Sequence, residues 1–89
     1  MNFNCNKEDL VNAINTVQKA VPSKTPLPIL QGILIRAEDI LKLTANDLEL
    51  SIECSIEADI QEKGDIVIDA RLFGEIIRKM PDSKVHIVS

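Results

Sequence analysis

Ser23, Ser51 and Ser55 could act as nucleophiles only with His86, the single histidine, as base, and nothing in their spacing makes the two regions converge. Cys5 and Cys54 are far apart in sequence. Each occupies an apolar-alternating position with no second ligand nearby, so they read as buried thiols, not as a disulfide or a metal site. Glu49, Glu53, Glu57 and Asp59 all fall on odd-numbered positions, the alternation of one solvated strand face. There is no glycine-rich phosphate loop, no GxSxG elbow and no clustered His/Cys/Asp set. Two phenylalanines with no Trp or Tyr leave no platform for stacking single-stranded bases. The expectation is a non-enzyme without cofactor or metal.

What remains is charge. The net charge of −4 argues against a nucleic-acid binder that uses its whole surface, but the charges are sorted. Ten acids lie from Glu38 to Asp69, opposed only by Lys42 and Lys63. Lys7, Lys19 and Lys24 outnumber Glu8 and Asp9 around the first helical pattern, and Arg71, Arg78 and Lys79 outnumber Glu75 around the second. Helices are therefore basic and strands acidic. With 89 residues and 45% hydrophobic content the chain suits one soluble domain near the size at which a single core becomes marginal. It has no apolar run able to span a membrane and no signal-peptide pattern at Met1 to Cys5, which places it in the cytoplasm.

The elements that must position these charges follow from periodicity. Phe3 and Cys5 alternate with asparagines as a short strand, and Asn6 is an N-cap that Asp9 can answer as in a capping box. Leu10, Ala13, Ile14, Val17, Ala20 and Val21 make one helical face, which Pro22 ends. The opposite face, with Asn12, Asn15, Gln18 and Lys19, is either simply solvated or suited to approaching phosphate. Pro26 and Pro28 then hold Ser23 to Leu30 extended, a stiff connector with Lys24 at its tip.

Leu30 to Ala37 and Leu41 to Thr44 read as strands, and from Leu48 to Ile60 apolar residues alternate strictly with polar ones. One face of an antiparallel sheet is therefore covered, by the helices, and the other is acidic. Ile66 to Ile68 is a short strand and Asp69 caps a second helix, whose apolar face is Leu72, Phe73, Ile76, Ile77 and Met80, with Glu75 and Lys79 as an i,i+4 pair. Gly74 within it is either a site of close packing or a tolerated defect. Val85 to Val88 begins another strand, in which His86 is a surface imidazole. The order is strand, helix, strand, strand, strand, then strand, helix, strand. The second half repeats the first and breaks off, so about two strands are expected beyond Ser89, and residues 1–89 are expected to be the N-terminal part of a longer domain.

Met1-Asn2-Phe3, the segment Lys24-Thr25-Pro26-Leu27-Pro28-Ile29-Leu30, Leu43-Thr44-Ala45-Asn46-Asp47-Leu48-Glu49, and Ala70-Arg71-Leu72-Phe73 through Arg78-Lys79-Met80-Pro81 together resemble the first domain of the bacterial DNA sliding clamp, the beta subunit of DNA polymerase III. The resemblance covers essentially the whole chain but only the beginning of the family's. It implies an α+β clamp-type fold, with two helices on one face of antiparallel sheet and the second repeat incomplete. It also implies a replication processivity factor whose subunits close as a ring homodimer around duplex DNA, helices lining the hole. Binding would be sequence-independent and largely topological. DNA polymerase III and the clamp loader would bind through regions absent here.

Carried onto this sequence, the resemblance marks Lys24, Arg71 and Arg78 as DNA-facing positions. Lys24 would supply attraction without bidentate orientation. A solvated helix face is the plain alternative for Arg71 and Arg78. For the chain as a whole the alternative is a self-standing clamp-like module that pairs with a partner through a strand.

Overall fold

The computed structural model describes residues 1–21, 32–46 and 50–89. Two strand-to-helix junctions organise it. β1 (Asn2–Asn6) runs directly into α1 (Lys7–Val17), which a short 3₁₀ turn (Gln18–Ala20) extends; β6 (Gly64–Asp69) runs directly into α2 (Ala70–Lys79). At each junction the last strand residue is the helix cap. Asn6 Oδ1 accepts from the amides of Glu8 (2.9 Å) and Asp9 (3.3 Å), and Asp69 Oδ1 accepts from Leu72 N (2.9 Å). Both caps have extended backbone, ψ 130° and 126°, so a strand can end where a helix starts without an intervening loop. No reciprocal bond from the Asp9 side chain to the Asn6 amide accompanies the cap among the described residues, while Asn6 is still paired with Lys84 in a strand ladder.

Between these units lie β2 (Gly32–Ala37), β3 (Leu41–Asn46), β4 (Ser51–Ile56) and β5 (Asp59–Glu62), and β7 (Lys84–Val88) follows α2. The fold is α+β, but the sheet is in two parts. One has the order β4-β3-β2-β6 and the other β5-β1-β7, with every pair antiparallel. The long strand expected over Leu48 to Ile60 is thus two strands in two sheets, residues 47–49 lying outside the described part. The alternation runs unbroken through Glu57 and Ala58 because both sheets turn the same side of the chain inward: Ile52, Cys54, Ile56, Ala58 and Ile60 are half-buried, and the residues between them are exposed.

The units exchange strands. β1 pairs with β7 and β6 with β2, so the strand that precedes each helix lies against the strand that follows the other helix. A constant offset carries Asn6 onto Asp69, Leu10 onto Phe73 and Ile14 onto Ile77, all in matching roles. The core lies between the helices and the inner sheet faces. Ile35 is opposite Leu43 and Ala37 opposite Leu41, all four buried, while Phe3, Leu10, Ile14 and Val17 close the other side. Burial of each large side chain contributes about 1.5–3 kcal/mol.

The apolar face of α2 is narrower than periodicity suggests. Phe73 and Ile77 are buried, as are Ala70 and Gly74, but Leu72 and Ile76 are 57% and 52% exposed. The helix therefore seats on one line of residues, with the second line turned outward. Replacing Phe73 by Ala should cost about 3–5 kcal/mol of stability, read from urea midpoints. Leu72→Gln should stay within about 0.5 kcal/mol of the unsubstituted chain. Asn6→Ala and Asp69→Ala should each cost about 0.5–2 kcal/mol, and equal losses at the two junctions would reflect their equivalence.

Candidate nucleic-acid interface

α1 lies across β3 and β4 and beside α2, so the polar sides of both helices share one surface. Four hydrogen bonds fix their relation. The α1 amide of Lys7 donates to Ser83 O (2.8 Å) in the link from α2 to β7, and Lys7 Nζ donates to Met80 O at the end of α2. From the other side, Arg78 Nη2 donates to Asn15 Oδ1 and, at 3.5 Å, to Gln18 Oε1 on α1. Lys7 is absorbed by this stitching; its ammonium satisfies a helix-end carbonyl.

Of the residues marked from sequence, Lys24 lies outside the described part of the chain. Arg71 is exposed in the first turn of α2 and Arg78 is exposed in its last turn, so the same helix places both. Neither has a carboxylate within ion-pair distance among the described residues. Glu75 and Lys79, despite their i,i+4 spacing, do not form an ion pair. The strands and turns behave differently. Arg36 meets Glu38 at 3.7 Å and Asp65 at 3.5 Å, and Lys63 meets Asp39 at 3.6 Å. These are exposed pairs of small energetic worth, but they give Arg36 and Lys63 carboxylate partners, which Lys42 on β3, Lys84 on β7, and Arg71 and Arg78 on α2 lack among the described residues.

Two clefts flank the helices. One, of about 420 Å³, is lined by Asn6, Lys7, Glu8, Val11, Arg78 and Ser83. The other, of about 680 Å³, opens where the chain passes from β4 to β5 and presents Asp9, Glu57 and Asp59 beside Lys84. Among the described residues no group of three or more His, Cys, Asp or Glu side chains stands close enough to hold a metal ion. Ser51 and Ser55 are exposed on β4, whereas His86 is on β7 in the other sheet with Nε2 2.7 Å from Asn2 Oδ1, so the structure assembles no nucleophile and base from them. Ser23 lies outside the described residues. Cys5 is buried, and burial, with the Asp9 carboxylate adding to it, pushes its thiol up to about 11. Cys54 is half-buried on the edge strand β4.

Sequence reasoning did not find the Arg78 bridge, which depends on how the helices cross. It also did not find the Lys7 contact with the end of α2. Both join residues more than sixty positions apart, and no local pattern marks them.

Comparison with known proteins matches all of residues 1–89 to the family described as DNA polymerase III beta subunit, N-terminal domain. The Beta sliding clamp of Bacillus subtilis is 40% identical over 96 aligned positions, covering 98% of this chain and 25% of that protein. Among solved structures, a protein assigned as a DNA polymerase III beta subunit from Eubacterium rectale superposes with a TM-score of 0.96 at 47% identity, over 100% of this chain and 24% of the other. The beta subunit from DNA polymerase of Streptococcus pyogenes gives a TM-score of 0.95 at 29% identity, over 100% and 25%. The chain spans about a quarter of the length of the relatives it matches.

The Cys5 thiol provides a pH test of the core behind this surface. Its folded value near 11 exceeds the ordinary 9.0, so the stability it contributes is complete below about pH 9 and is lost as pH rises toward 11. Urea midpoints should fall across that window, and Cys5→Ala should flatten that part of the profile.

Proposed function

Since this chain belongs to the family of the DNA polymerase III beta subunit, N-terminal domain, we propose that it forms the opening part of a sliding clamp, a non-catalytic replication factor that tethers a polymerase to duplex DNA in the cytoplasm. The observation that carries the reading is the division of charge. Arg36 and Lys63, at the turn ends of the sheet, are paired with carboxylates, whereas Arg71 and Arg78, both on the one helix α2, are not. A surface that must slide along phosphates needs available positive charge without base-reading groups. Arg71, Arg78 and Lys24 are the residues we assign to phosphate contact.

Ring closure with a second copy, and the docking of DNA polymerase III and a clamp loader, are assigned to parts of the whole subunit other than these 89 residues. Holding DNA is then chiefly a property of the closed ring, and the isolated chain should have negligible affinity for duplex DNA at physiological salt. No helix of the described residues is long and apolar enough to cross a membrane, which accords with work on DNA.

A chimera tests the proposal: residues 1–89 replace the matching segment of the Bacillus subtilis clamp, and retention on circular and linear duplex is compared after loading. The chimera should stay on circular DNA and run off linear DNA. Arg71→Glu with Arg78→Glu should weaken low-salt binding and reduce the slope of log affinity against log salt by about 2, close to one unit for each phosphate no longer neutralised. A folded chimera that binds neither form of DNA would sink the reading.

A further inference from the structure

The position of Gly74 is explained by Arg78. A helical side chain leans toward the N-terminus of its helix and covers the residue four positions earlier, and for Arg78 that residue is Gly74. Gly74 is buried, and no glycine of the described residues has positive φ, so the site does not use glycine's conformational freedom. What it uses is space. A Cβ at Gly74 would come within 2.9 Å of Arg78 Nη1 and 3.4 Å of Cζ and Nη2. The guanidinium thus lies in the volume that any other residue would fill, while across the helix pair its Nη2 reaches Asn15 and Gln18.

The chemistry of those acceptors matters. A carboxylate at either place would also hold the guanidinium but would cancel its charge; two neutral amide oxygens orient it and leave the charge available. We infer that Gly74, Asn15 and Gln18 form a seat that holds Arg78 in one orientation between the helices, Nη1 over Gly74 and Nη2 on α1, so that its Nε, which no described residue accepts from, is presented to an anion. That this anion is a backbone phosphate of duplex DNA rests on the function proposed above. Gly74, Asn15 and Gln18 are positioning residues, and Arg78 is the contact.

Arginine side-chain NMR on the ¹⁵N-labelled chain, with and without a short duplex at low salt, tests the seat. In the unsubstituted chain the Nη signals of Arg78 should be resolved, because rotation about its Nε–Cζ bond is hindered, and duplex should shift its Nε signal. Gly74→Ala, and Asn15→Ala combined with Gln18→Ala, should average the Nη signals and abolish most of the duplex-induced shift, while the methyl signals of Ile14 and Ile77 stay in place. Asn15→Asp should keep the Nη signals resolved but lose the duplex response, which a merely structural role would not produce. Averaged Nη signals in the unsubstituted chain, or resolved ones surviving in both disrupting variants, would overturn the inference. Resolved signals that only the disrupting variants average, with no response to duplex in any form, would sustain the seat and remove the DNA reading.

Discussion

The direct passage from strand to helix at Asn6 and at Asp69 is the constraint on which the other features depend. Because the capping residue belongs to the sheet ladder, each helix leaves its sheet at a set point and in a set direction, with no loop to absorb error. A helix placed this way can bring a chosen side chain to a neighbouring helix with little scatter. The link from Arg78 to Asn15 and the link from Lys7 to Met80 both require that placement, and each runs from one unit to the other. The caps are worth little individually compared with burial of Phe3, Leu10 or Ile35, yet they decide where that burial puts the surface.

Charge is sorted by the same geometry. The turns that end the sheets bring Arg36, Lys63, Glu38, Asp39 and Asp65 together, so opposite charges meet there. On α2 the acids are few, and the one near the basic residues, Glu75, does not close on Lys79. The chain is acidic in total and still carries a surface with unpaired cations, because net charge is a sum and recognition depends on arrangement.

Features that depend on neighbours in sequence are legible from the sequence alone. The caps at Asn6 and Asp69, the helical faces of Leu10 and Ile14, and the alternation from Ile52 to Ile60 all behave in the structure as their spacing requires. The division of that last stretch between two sheets was not legible, since a period of two says which side a residue faces but not which strand lies beside it. Leu72 and Ile76 have the right spacing for a core face and remain outside, because periodicity counts apolar residues without knowing how wide the covering surface is. Of the candidate site, the basic positions were legible and their family was recognisable, but the partners of Arg78 were not. Lys24 lies outside the described residues.

The exchange of strands between the two units also governs the order in which the fold can be made. β1 precedes every other described strand, yet among the described residues it pairs only with β5 and β7, so Asn2 must meet Val88 at the other end of the described chain. Its ladder on that side cannot form until β7 is free to receive it, and closing so long a loop is slow relative to local hairpins such as β2 and β3. During synthesis the β2–β3–β4 meander can assemble early, while Phe3 and Cys5 wait uncovered. For this topology β7, the last of the described strands, is the one that commits β1.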